Sequence, residues 1–326
     1  MTLPELAARL RDSVGMVQKR DIQLPADRFA WSVPGPWGEA PVRVGDDCAA
    51  IPDGDGYLLV AIEGMSPAFV KSSPRAAGFC SVLVNASDVY SMGGRPLAVV
   101  DALFDTGSDA APAMLEGMQH AASTFGIPVV GGHTNLRSPY IALAVAIVGR
   151  ARALITSFDA HAGDDLVMAV DLRGKMLGDN PFWDATDAPA ARLREDFAVL
   201  PALAEAGLVR AGKDISMGGL LGTLLMLIES SGVGADLEVE RVPRPANVPL
   251  ERWLMAFPSF GFMFAVGPAN TERVLAAFAA RGLAAARVGV VDASRKLTLW
   301  SREGSTLFWD LAREGLTQKR SGSRHA

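Results

Sequence analysis

The stretch "NASDVYSMGGRPL" (residues 85–97) constrains the fold more than any other part of the chain. It follows an apolar run, carries the polar side chains Asn85, Ser87 and Asp88, then turns through Gly93-Gly94 into Arg95-Pro96. Asp88 has hydrophobic neighbours on both sides, and a lone carboxylate is strongly disfavoured in an apolar interior. The chain must therefore fold so that this carboxylate faces solvent or a compensating group.

Other acids share the same local pattern. Asp46-Asp47, Glu63 before Gly64, and Asp214 before "ISMGG" each end a strand-like run or begin a helix-like one beside a small residue. Oxygen ligands of this kind suit magnesium, which commonly bridges carboxylates and nucleotide phosphates. Glycine pairs at 93-94, 131-132 and 218-219 leave backbone N–H groups open to a phosphate. Read singly, each acid also fits a solvated loop and each glycine pair an ordinary turn. The chain has no G-x-x-x-x-G-K-[ST] loop and no dinucleotide fingerprint. The residues alone thus define a candidate Mg–nucleotide site and name no reaction.

At 326 residues the chain predicts about two domains. Thr2 and Glu5 have capping-box spacing ahead of an amphipathic helix over 2–18. Residues 19–41 are proline-rich and read as irregular and mobile, with Trp31 and Trp37 as a lid or dimer surface. Helices are predicted over 74–92 and 109–125, and strands over 56–64, 96–104 and 140–151, with a short buried strand running into a glycine turn at 131-132. The second half alternates strand and helix, with 177–189 read as a surface loop and Asn270 as an N-cap. Expected boundaries are 1–41, 42–152, 153–316 and a disordered tail at 317–326.

A net charge of −5 argues against nucleic acid as the partner. The longest apolar runs are half the length needed to cross a bilayer, and no signal peptide is visible. Cys48 and Cys80 lack C-x-x-C spacing, which predicts buried free thiols in a reducing cytoplasmic compartment.

Together, "GDDCAAI", "NASDVYSMGGRPL", "VVGGHT" and "DISMGGLLGTLLMLIESSGVGA" resemble a known superfamily. Its members include aminoimidazole ribonucleotide synthetase, thiamine-monophosphate kinase, selenophosphate synthetase and a hydrogenase maturation factor. The resemblance implies an α/β (α+β) fold, with an N-terminal mixed sheet that dimerises and a C-terminal α/β domain. It also implies ATP with Mg2+ in the cleft between them. Carried over residue by residue, Asp47, Glu63, Asp88 and Asp214 become metal ligands, Glu63 replacing the usual aspartate. Asp46, Asn85, Ser87, Gly131, Gly132 and Thr134 become nucleotide contacts, and Asp47, Asp88 and His133 the catalytic candidates. His133 fits a structural histidine as well. Lys71, Arg75 and Arg95 are further anion candidates.

The substrate side departs from each branch. Met217 stands where the kinase pattern has aspartate, and "AFPSFGFMFAV" lacks that branch's acidic segment. Residues 1–40 have no Cys for selenide chemistry, and their one lysine is Lys19. The expected function is ATP- and Mg-dependent phosphoryl transfer to an unidentified small molecule. The alternative is a catalytically silent nucleotide-binding scaffold of the same fold.

Overall fold

The computed structural model describes residues 1–29, 32–35 and 38–318. Trp31, Trp37 and the tail 319–326 lie outside the described residues. Strands β1 (Ala49–Asp53), β2 (Gly56–Gly64), β3 (Arg95–Phe104), β4 (Val129–Asn135) and β5 (Ala142–Ala151) form a first sheet. Its order is β1-β2-β5-β3-β4, antiparallel except for the parallel β3–β4 pair at one edge. Alternation sorts its residues. Leu59, Ala61, Val99, Leu103, Val145 and Ile147 point inward and are buried. In register on the other face stand Val60 with Val148, and Ile62 with Ala146 and Val100.

Two helices cover the inner face. Pro74–Ser91 begins with proline at its first turn, where the missing N–H is no loss, and stops at Gly93 with φ +75°. Ala110–Phe125 ends on the left-handed Gly126. The helices cross where neither has a side chain: a Cβ on Gly78 would lie 2.0 Å from the Met114 carbonyl oxygen, and one on Gly117 2.0 Å from that of Arg75.

The second sheet is built from β6 (Asp165–Val170), β7 (Ala211–Asp214), β8 (Gly234–Glu238), β9 (Gly261–Val266), β10 (Ala284–Asp292), β11 (Lys296–Ser301) and β12 (Gly304–Asp310). Its order is β7-β9-β6-β10-β8-β11-β12. Strands β6 and β9 are buried throughout because both faces are covered. Val167, Ala169, Phe262 and Phe264 join one core with the helices and inner face of the first sheet. Leu166, Met168, Met263 and Ala265 pack the opposite way, against the helix Gly219–Ser231 and the chain's first helix.

That first helix departs from the sequence reading. The predicted Thr2–Glu5 capping box is present, but the helix stops at Arg11 and a second runs Val14–Lys19. Asp12 and Ser13 separate them, residue types whose side chains compete with helical hydrogen bonding. Leu3, Leu6, Ala7 and Leu10 are buried on the second sheet rather than the first. Residues 19–41 are also more regular than expected: a 3-10 turn, a short helix and a hairpin of Ser32–Gly35 with Gly38–Arg43.

The 177–189 segment is not a surface loop along its whole length. Phe182–Asp184 pairs with Lys175–Met176 and Phe257–Pro258, and Phe182 and Trp183 are buried. Asn270 sits at the N-cap position without a side-chain cap bond. Thr317, assigned to the tail, is buried, and its hydroxyl donates to Glu229 at 2.6 Å. No described helix is long and apolar enough to cross a membrane.

Candidate functional site

Four segments deliver the acidic residues to one place. Asp46 and Asp47 end the approach to β1, Asp88 lies in the last turns of the 74–91 helix, and Asp214 is the final residue of β7. Carboxylate oxygens of Asp47, Asp88 and Asp214 all lie within 4.8 Å of one another. Glu63, on the same inner face as Ala61, sits at the more open end of β2 and is not among these three.

Asp88 is 7% exposed, and its Oδ2 has no hydrogen-bond partner. Burial, then the charges of Asp214, Glu63 and Asp47, hold its carboxyl well above the usual range. Asp214 is pushed up to about 8, first by burial and then by Asp47. Burial likewise raises Asp46. Burial and mutual repulsion work against the charged form of these groups, and a cation beside them would favour it.

Asp47 is held from two sides. Ser91 Oγ donates to its Oδ2 at 2.7 Å, and the ammonium of Lys213 pairs with its Oδ1. Lys213 also donates to Ser157 Oγ at 3.1 Å and stands 3.9 Å from Asp46. Asp46 accepts from the Ser157 backbone N–H at 2.9 Å and from its hydroxyl. Desolvation is the largest influence on Lys213 and lowers its pKa, but Asp47, Asp46 and Asp214 together outweigh it and leave the amine raised. Lys213, Ser91 and Ser157 were not singled out in the sequence. The available signal for Lys213 was a lysine inside a buried strand, where an unpaired charge is untenable.

Asn85 is fully buried; its Nδ2 donates to the Ser81 and Val145 carbonyls at 2.8 and 3.0 Å, while its Oδ1 has no partner. Ser87, two residues on in the same helix, is buried as well. The glycine pair 131-132 is not a turn: both residues lie in the extended edge strand β4, opposite Val100 and Asp101. A Cβ on Gly132 would collide with Asp101 Oδ1 at 2.2 Å, so that glycine serves strand pairing. His133 and Thr134 follow on the same strand, which as a sheet edge is exposed throughout rather than buried as its apolar start suggested. Three strand spacings, about 14 Å, separate it from β2 and Glu63. One copy of the chain therefore does not bring 131–134 to the acidic cluster.

Arg95 pairs with both oxygens of Glu205, and Arg75 with Glu116 at 3.3 Å; Lys71 is exposed. Gly93 and Gly94 are packing glycines: a Cβ would meet Ala204 Cβ at 2.7 Å or Leu59 Cδ1 at 2.3 Å. Both cysteines are buried and free, and burial pushes the Cys80 thiol up to about 12.

Residues 45–151 match the model of the AIR synthase related protein N-terminal domain, and residues 179–301 that of the C-terminal domain. The chain belongs to the AIR synthase-related proteins. It is 48% identical over 317 residues to the uncharacterized protein sll0787 of Synechocystis sp., covering 97% of this chain and 98% of that one. Among solved structures it resembles T. maritima PurL complexed with ATP, with a TM-score of 0.71 and 18% identity. That match covers all of this chain and 54% of PurL. It also resembles AaThiL complexed with AMPPCP and TMP, with a TM-score of 0.62 and 19% identity, covering 78% and 87% of the two chains. At such identities these structures establish a shared fold.

Proposed function

We propose that this chain is an ATP- and Mg-dependent enzyme that transfers a phosphoryl group to a small molecule. One observation carries the reading: three carboxylates converge within 4.8 Å, and the buried Oδ2 of Asp88 has no protein donor. Such an oxygen in a protein interior is costly unless a bound group compensates it. The all-oxygen donor set is that of a hard divalent cation. Asp47, Asp88 and Asp214 would hold it, with Glu63 nearby at the open end. The ion's contribution is neutralisation of phosphate charge.

The chain's own residues supply order. Lys213 and Ser91 fix the two oxygens of Asp47, and Ser157 fixes Asp46, so the carboxylates need little rearrangement when nucleotide arrives. AaThiL complexed with AMPPCP and T. maritima PurL complexed with ATP support a nucleotide on this fold. A kinase-type transfer and activation of a carbonyl oxygen as its phosphate ester are both compatible with this geometry.

The functional unit in this reading is a homodimer. The outer face of the first sheet leaves Val60, Ile62 and Val100 41%, 68% and 42% exposed, a row of apolar side chains with no covering element among the described residues. His133 stands on that face, in register with Ala102.

Calorimetric titration with Mg and a non-hydrolysable ATP analogue tests the site. Saturable binding is expected, weakened at least tenfold by Asp88→Ala. No binding by the natural protein, or equal affinity in the variant, overturns the assignment. ADP production dependent on an added small molecule, with thiamine monophosphate as the first candidate, separates an enzyme from a silent nucleotide-binding protein.

A further inference from the structure

The end of strand β7 carries opposite charges on opposite faces. Lys213 is in register with Met263 and Asp214 with Phe262, so the two side chains leave this edge strand on different sides. Asp47 meets both. Its carboxylate belongs to the triad with Asp88 and Asp214, and it also pairs with the Lys213 ammonium. Lys213 is 3% exposed, a burial that lysine tolerates only when it is paired.

The acids around this point fall into two groups. Asp46 accepts from the Ser157 backbone N–H and hydroxyl with the ammonium 3.9 Å away, and Asp47 accepts from Lys213 and Ser91. That side of the cluster already has its positive charge and its donors. The unmet demand lies on the other side, where the buried Asp88 Oδ2 has no partner and Asp214 adds a second carboxylate. In two-metal sites the ions stand about 3.5–4 Å apart, and a carboxylate between them serves both. Asp47 is such a shared group here, with the triad on one side and a fixed ammonium on the other. An ammonium brings one positive charge and three N–H donors to oxygens that would otherwise attract an ion.

We propose that the Lys213 ammonium stands in for a second divalent cation, so that the cluster takes up one ion, held by Asp47, Asp88 and Asp214, and none beside Asp46. This role rests on the cation reading given above and fixes the number of ions. Removing the ammonium leaves the Asp46 and Asp47 side chains, 2% and 7% exposed, without the cation that contacts them. Lys213→Ala also vacates the space in which an ion with oxygen ligands could replace it.

The test uses Mn2+ alone, without nucleotide, counted per chain by calorimetry and by electron paramagnetic resonance of the bound ion. The natural protein is expected to bind one Mn2+ at the cluster, and Asp88→Asn to weaken that ion at least tenfold. Lys213→Ala is expected to bind two, with the resonance broadened by coupling between neighbouring ions. Adding Asp46→Asn to Lys213→Ala should return the count to one. Thermal unfolding covers a variant that folds only with metal: Lys213→Ala should melt below the natural protein in a chelator and regain most of the difference with Mn2+. A coupled pair of ions in the natural protein, a single ion in Lys213→Ala, or two in the double variant overturns the role of Lys213 while the cation site stands. A Lys213→Ala chain that stays unfolded in Mn2+ also overturns it, because the ion then does not replace the ammonium. If the natural protein binds no Mn2+, or Asp88→Asn binds it equally well, the cation site itself falls and the role of Lys213 with it.

Discussion

Asp105 caps a helix from outside it. The carboxylate is fully buried; its Oδ1 accepts from Thr106 N and Ser108 Oγ, both at 2.7 Å, and its Oδ2 from Ala111 N at 3.2 Å. Asp109, the residue in the N-cap position of Ala110–Phe125, makes no side-chain cap bond. Burial is the largest influence on Asp105 and raises its pKa, but the bonds from Ser108, Ala111 and Thr106 outweigh it and leave the carboxyl below its ordinary range. A group whose folded pKa is depressed stabilises above its unfolded pKa, about 3.9, and loses that contribution as pH falls through the folded value. Asp105→Ala should therefore lose about 1–2 kcal/mol at pH 7, with the gap to the natural protein shrinking below about pH 4. Urea unfolding at both pH values checks this; a gap independent of pH contradicts it. The sequence hid this cap because Asp109 stands in the obvious place. Asp47, Asp88 and Asp214 were legible because each stands in its own motif. Lys213 was not, since its partner Asp47 is 166 residues away. Gly131-Gly132 was misread as a turn because a glycine pair looks the same in sequence whether φ is positive or extended.

The two helices and strands β2, β3 and β5 of the first sheet were readable nearly to the residue, because Pro74, Gly93 and Gly126 mark helix ends and alternation marks the inner strand positions. Composition misled at 177–189, where prolines and aspartates surround two buried aromatics. It also misled at 12–13, where the apolar spacing continued past a real break. The crossing of the two helices shows what periodicity cannot convey. Gly117→Ala keeps and even improves helix propensity, yet its Cβ would lie 2.0 Å from the Arg75 carbonyl oxygen. Overpacking of this kind costs about 1–3 kcal/mol. The variant is expected to unfold at lower denaturant with an unchanged m-value; a stability equal to or above that of the natural protein would mean that the helices part without penalty.

At the scale of the molecule, the mixed α/β class and two sheets followed from the four motifs in order. What did not follow was which faces meet. The inner face of the first sheet shares one core with the second sheet, while the chain's first helix belongs to the far side of that second sheet. Apolar spacing says that a face is buried and not against what. The outer face of the first sheet is uncovered among the described residues, and the proposed dimer is tested there. Val60→Glu with Ile62→Glu should give a folded monomer by sedimentation equilibrium at concentrations where the natural chain is dimeric, because charges directed into an apolar interface are desolvated without partners. A natural chain that sediments as a monomer removes the dimer.

The seat of the N-terminal helices has a consequence for the order of events during synthesis. Arg11 donates to the Leu307 carbonyl at 3.1 Å across 296 residues, and Gln23 to the Gly315 and Leu316 carbonyls. At about 5–20 residues per second, the ribosome needs roughly 15–60 s to make the strand on which the earliest residues dock. Until then the first helix lacks its last strand, although much of the core that Leu3, Leu6 and Leu10 join, such as Met168 and Leu224, is already made. Asp214 joins the sheet only once β9 is made to pair with β7, so the emerging chain can complete its anionic cluster before the last strand of the first helix's seat appears.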